Sequence, residues 1–257
     1  MNITKTLGYL VFFAGLAFIY APILSMIIFS FSTNQDSLSI ANLSLTWYKV
    51  LFENEEMISS LINSLLVATL CTAFSIFAAT IFVVANKVLK LPLIQESFSF
   101  NISIPEIFLA ISVIIIFSMF KMELGLTAVL IGHVLLGLGL AVPAIYVANN
   151  NIEKSLIDAS IDLGANNFQT FSRVTLPIMS PVLFSVSFLI FSCSLDDFFI
   201  NFFCSGIDFK TVSTYVYTSI KSSINPSINA LSSIMLIVSV LFVVLFNFLK
   251  KVINRHE

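Results

Sequence analysis

Six runs of this 257-residue chain, at 8–31, 59–85, 104–120, 124–148, 176–204 and 228–249, are longer and more continuously apolar than the elements of a water-soluble domain. About 20 apolar residues wound as a helix cross the roughly 30 Å hydrocarbon core of a bilayer. Inside hydrocarbon every backbone N–H and C=O has to be bonded internally, which leaves helix as the form such runs take. The expected fold class is an all-α polytopic membrane protein with six transmembrane helices, built as one membrane domain over 1–257. Composition agrees, since 58% of residues are hydrophobic, 10% are charged and the mean hydropathy is +1.02, far from the soluble average. The third run is the weakest, because Pro105, Glu106 and its short length suit a broken or tilted helix. The first exceeds the roughly 7–15-residue core of a signal peptide and no small-residue cleavage pattern follows it, so it is expected to stay attached.

Six spans place both termini and the second and fourth connections on one side of the membrane. That side carries Lys5, Lys87, Lys90, Lys154, Arg173, Lys250, Lys251 and Arg255. The other carries Lys49, Lys121, Lys210 and Lys221 among Asp36, Glu53, Glu55, Glu56, Glu123 and Asp208. The positive-inside bias therefore puts both termini, and the connection at about 149–175, in the cytoplasm. On the outer side, Asn34, Asp36, Asn225 and Pro226 predict compact turns. Trp47 and Tyr48 fit interfacial anchors better than solute contacts.

The connection at 149–175 is too polar for hydrocarbon and carries helix signals on both sides of one break. After Ser155, Leu156, Ala159 and Leu163 recur at helical spacing, and Asp158 is expected near the positive end of the helix dipole. Gly164 is suited to the positive φ that ends such a turn. Asn166 and Asn167 restart a second short helix through Phe168, Phe171 and Val174, before Pro177 opens the next apolar run as a first-turn proline. The prediction is a knuckle of two short helices meeting at an angle. Its bland alternative is an amphipathic loop lying on lipid headgroups.

Nothing supports catalysis by this chain. It has no Gly-x-x-x-x-Gly-Lys-Ser/Thr phosphate loop, and no nucleophile with a base in reach. His133 and His256 do not suggest a metal site; His133 reads as a packed or helix-bonding residue. Gly132, Gly137, Gly139 and Ala141 suit close helix packing. Cys71, Cys193 and Cys204 lie in apolar runs, and the last two, 11 residues apart on one predicted helix, are separated by about 16 Å, too far to bridge. Three acids stand out: Glu106, Asp196 and Asp197. A central Asp costs about 2.5–3.5 kcal/mol on insertion, roughly 5–7 for the pair, which the surrounding Phe, Ile, Leu and Val offset. With no basic residue in the neighbouring runs to pair with them, they point to water, a partner subunit or a cationic solute. Adjacent helical residues diverge by about 100°, so Asp196 and Asp197 cannot both face one narrow path.

The run Asp158-Ala159-Ser160-Ile161-Asp162-Leu163-Gly164, with Val174-Thr175-Leu176-Pro177 nine residues on, resembles the loop that permease subunits of ATP-binding-cassette importers present to their ATPase. That loop is usually written Glu-Ala-Ala, three residues, Gly, nine residues, Ile-x-Leu-Pro. Here Asp158, Ser160 and Val174 replace the usual Glu, Ala and Ile, with the spacing kept. The resemblance assigns docking to Asp158, Ala159, Ser160, Asp162, Gly164, Ala165, Phe171, Leu176 and Pro177. Trp47-Tyr48, Asn63-Ser64-Leu65, Pro105-Glu106, Leu195-Asp196-Asp197, Asn225-Pro226 and Asn229-Ala230-Leu231 extend it towards the second permease subunits of bacterial spermidine/putrescine importers. It implies a type I importer fold with cytoplasmic coupling helices, in the bacterial inner membrane. The partners it implies are a homologous second permease, two copies of a cytoplasmic ATPase holding ATP and Mg, and an extracytoplasmic polyamine-binding protein. No cofactor, metal or nucleic acid is expected on this chain. A solute path through Glu106 and Asp196 or Asp197 is expected. A permease for iron, thiamine or an anion would share the docking loop without needing the acids. A scaffold would use the loop for assembly only, and an ion-coupled carrier would need no ATPase.

Overall fold

The computed structural model describes residues 3–32, 43–89, 105–222 and 227–253. Helices α1 (Ile3–Ser30), α2 (Thr46–Glu53), α3 (Glu55–Leu89), α4 (Glu106–Met119), α5 (Leu126–Asn150) and α6 (Lys154–Asp162) come first. Then follow α7 (Asn167–Asp196), α8 (Phe199–Cys204), α9 (Val212–Ser222) and α10 (Ser227–Ile253).

Among the described residues, four apolar helices are long enough to cross a membrane: Leu7–Ser30, Glu55–Asn86, Leu126–Asn150 and Asn167–Asp196. The third predicted span is a helix of only 14 residues, about 21 Å at 1.5 Å per residue and short of the hydrocarbon thickness. The sixth is a helix of 27 residues, Ser227–Ile253. The fifth differs from the expected 176–204: the helix stops at Asp196, Asp197 is extended (φ −61°, ψ 131°), and a separate short helix occupies Phe199–Cys204. The expected outer turns at Asn34, Asp36, Asn225 and Pro226 lie outside the described residues.

The chain divides into two compact units, Met1–Ile58 with Val216–Phe242, and Ser59–Tyr215 with Val243–Glu257. In the first, Trp47 Nε1–H donates to the Ser32 carbonyl at 2.7 Å, and the Tyr48 hydroxyl meets Ser30 Oγ at 2.9 Å. Both predicted anchors thus tie α2 back to the end of α1, with the Tyr48 ring 5.2 Å from that of Phe31.

Among the described residues, the second unit has two buried apolar clusters. One joins Cys71, Ala141, Ile145, Met179 and Ile190 from α3, α5 and α7; the other joins Val67, Ala110, Val113, Phe117, Val129 and Ile200. Small residues allow the approach. A Cβ on Gly132 would lie 2.6 Å from Ile200 Cγ2, and one on Gly137 would collide with Ser75, the close packing that small residues permit between membrane helices. The connection after α8 is pinned by main chain, with Gly125 N–H donating to the Cys204 carbonyl at 2.9 Å.

Candidate functional site

The first candidate surface is the knuckle between α5 and α7. Helix α6 begins at Lys154 after Glu153, whose carboxylate accepts the Ser155 hydroxyl at 3.2 Å. Asp158 therefore lies in the second turn, beyond the reach of the dipole argument, which fades after the first. The helix ends as predicted at Gly164, φ +86°. Ala165 N–H donates to the Ser160 carbonyl at 3.0 Å and Gly164 N–H to the Ile161 carbonyl at 2.8 Å, the paired bonds of a Schellman stop.

Past the turn, Asn166 and Gln169 form a reciprocal capping box, with side-chain bonds of 2.9 and 2.8 Å. The restart at Asn166 and Asn167 is thus present, but no second break follows it. The helix continues through Pro177 into the span, by way of one π turn at Phe171–Thr175 in which Leu176 N–H reaches back five residues to the Phe171 carbonyl. Pro177 has no N–H to give to the ladder, and a wider turn beside it absorbs the missing bond. The knuckle and the span are one rod.

The two arms are also joined directly. Ser160 Oγ lies 2.9 Å from Thr170 Oγ1 while donating to the Ile157 carbonyl at 2.7 Å. Ile152 is buried in the first apolar cluster and Ile157 packs on its edge. Leu163 is 90% exposed and Phe168 75%, beside the exposed Asp158 and Asp162. Ala159 and Pro177 are exposed too, whereas Ala165, Phe171 and Leu176 are half-buried. The arrangement is a rigid angle with bare apolar side chains at its tip and carboxylates next to them.

The second candidate is the interruption after α7. Asp196, the last helical residue, is exposed, while Asp197 is 3% exposed. The freed Asp197 carbonyl accepts from Asn201 Nδ2 at 2.7 Å and Ser213 Oγ at 2.9 Å. Its carboxylate Oδ2 accepts the Asn201 backbone N–H at 3.1 Å. His133 of α5 reaches the same place, with Nε2 3.3 Å from Asn201 Oδ1 and 3.7 Å from Asp197 Oδ2. Glu106, half-exposed at the start of α4, is close enough to Asp197 for their carboxyl groups to interact. The structure thus brings Glu106 and Asp197 together and turns Asp196 outward.

A family model described as binding-protein-dependent transport system inner membrane component matches residues 75–256. The chain belongs to that family. It is 27% identical over 254 residues to the spermidine/putrescine transport system permease protein PotC of Haemophilus influenzae, covering 95% of this chain and 96% of that one. The PotC homolog of Mycoplasma genitalium is 29% identical over 265 residues, with 96% and 92% covered. A bacterial transporter structure involved in import of the acidic polysaccharide alginate superposes with a TM-score of 0.74 at 16% identity over 96% of this chain and 94% of that one. That likeness establishes a shared fold.

Other residues of the permease that carried the resemblance have local work. Asn63 Nδ2 donates to the Lys210 carbonyl at 2.9 Å, and Ser64 Oγ accepts the Val212 N–H at 2.8 Å, fastening the segment before α9 to α3. Asn201 and Ser213 escape a reading of the sequence by itself, whereas His133, expected as a packed or helix-bonding residue, is 1% exposed and bonded to Asn201 of another helix. The expectation that Asp197 has no basic side chain near it is corrected by His133, which comes from a different helix.

Proposed function

We propose that this permease is one of the membrane subunits through which a polyamine of the spermidine/putrescine type is imported, driven by a separate cytoplasmic ATPase. The knuckle from α6 to the start of α7 carries the reading. A surface that passes force needs a fixed angle and bare apolar contacts; the Ser160–Thr170 bond supplies the first, Leu163 and Phe168 the second. Because α7 runs unbroken from Asn167 to Asp196, a displacement at the knuckle is delivered at the acids, about 45 Å away for 30 helical residues.

A cationic solute is supported by the two named relatives and by the placement of the acids. Asp196 is exposed and Glu106 half-exposed, so these two can meet ammonium groups, while Asp197 anchors the interruption. Weak, staged binding is expected of such a path, since a deep well would trap a polycation. Closure of the ATPase moves the knuckle, and the path opens to one side only if nucleotide and solute each bind the two conformations unequally. A homologous second permease and an extracytoplasmic binding protein complete the assembly in this reading. The test is spermidine uptake and ATP hydrolysis in the reconstituted complex carrying Asp196→Asn or Glu106→Gln. Reduced uptake with hydrolysis retained is expected; unchanged uptake in both would remove the acids from the path.

A further inference from the structure

The buried side of the α7 interruption has a wiring that places a hydrogen on one histidine's Nε2. Asn201 Nδ2 is committed to acceptors, the Asp197 carbonyl at 2.7 Å and Ser213 Oγ at 3.4 Å. Its Oδ1 is therefore the atom that faces His133, and an amide oxygen only accepts. His133 Nε2, 3.3 Å away, must carry a hydrogen, and the same N–H side of the ring is turned towards Asp197 Oδ2 at 3.7 Å. His133 is 1% exposed and Asn201 2%, so water does not compete for the bond. Gly132, next to His133, is what lets α8 come so near: any side chain there would meet Ile200 Cγ2 at 2.6 Å.

The bond has a consequence for the outer acids. Helix α8 carries Asn201, and the Cys204 thiol at its end points to the Ala110 carbonyl of α4 at 3.7 Å. Helix α4 starts with Glu106. One side chain of α5 thus holds α8, α8 is packed against α4, and α4 carries one path acid while α7 carries the other.

We infer that His133 is a positioning residue for solute passage, setting the separation of Asp196 and Glu106 through Asn201 without touching the solute. The inference rests on the polyamine-path reading given above. It predicts that His133 acts through Asp196 and adds nothing once Asp196 is neutral.

The experiment is a double-mutant cycle in the complete reconstituted complex, reading spermidine moved per ATP hydrolysed. His133→Leu should lower that ratio about five-fold, the scale of one lost hydrogen bond. His133→Gln, which returns an N–H near the Nε2 position, should restore it to within about two-fold. Asp196→Asn should lower the ratio by itself, and the His133→Leu, Asp196→Asn double variant should be no worse than Asp196→Asn, as coupled residues behave. Additive losses, or no loss in His133→Leu while Asp196→Asn is impaired, would overturn the positioning role and leave the path reading intact. Full coupling in Asp196→Asn would sink the path reading and this inference with it. Asn201→Ala breaks the same link from α8; if neither it nor His133→Leu gives an assembled complex, the role is structural and the inference is wrong.

Discussion

The hydroxyls of Ser160 and Thr170 meet at 2.9 Å on either side of the turn made by Gly164, joining the two arms of the knuckle. Without that bond the arms share the turn and the short capping box, and the angle would rest on a few backbone dihedrals. Ser160→Ala and Thr170→Val should each weaken ATPase retention by roughly five-fold, about 1 kcal/mol for a hydrogen bond. The double variant should lose little more than either one, because the two changes remove one interaction. Co-purification of the ATPase at graded detergent concentration measures it, and fully additive losses would show that the hydroxyls act separately.

Gly164 is required by its φ of +86°, not by crowding, since a Cβ there would meet nothing within 4 Å. Gly164→Asn, which tolerates the left-handed region, should keep most of the coupled ATP hydrolysis; Gly164→Val should lose it, with a backbone penalty above 1 kcal/mol or so. Equal activity of the two variants would show that the turn does not need this dihedral.

At Gly132 the demand is steric. Gly132→Ala should lower the thermal stability of the purified complex by about 1–3 kcal/mol, the usual range for overpacking, because its Cβ would approach Ile200 Cγ2 to 2.6 Å. Adding Ile200→Ala should recover part of the loss. A melting temperature unchanged by Gly132→Ala would mean that α8 is free to move away.

The adjacent acids should separate by phenotype. Asp197→Leu removes the acceptor of the Asn201 N–H inside a buried network and should destabilise the complex by about 1–3 kcal/mol. Asp196→Leu, on an exposed residue, should stay within about 0.5 kcal/mol of the parent while reducing polyamine uptake. Thermal unfolding in detergent, paired with uptake in vesicles, distinguishes them; equal loss of stability would contradict the division of roles.

Local signals were legible in the chain and distant pairings were not. Gly164, Asn166 and Asn167 announce a stop and a restart in adjacent residues, and the structure has both. Pro177 stands where expected, in the first turn of the α-helical stretch Leu176–Asp196, but the π turn at Phe171–Thr175 joins that stretch to the restart at Asn167 without a break. The adjacency of Asp196 and Asp197 foretold that they would diverge, but helical geometry could not say that the helix would end between them. That end depends on Asn201 and Ser213 taking the freed carbonyl, and on His133, 68 residues away from Asn201 in sequence. The short fourth helix was legible too, since Pro105, Glu106 and the shortness of the third run set it apart, and the helix has 14 residues.

The central claim is that an external ATPase moves solute through this subunit by pushing on the knuckle, and vesicles holding the complete complex test it most directly. Spermidine uptake measured with ATP, and again after the ATPase subunit has been stripped away, should fall to the level of passive leak, with binding protein present in both cases. Uptake that continues at the full rate from the stripped membrane subunits would contradict the account.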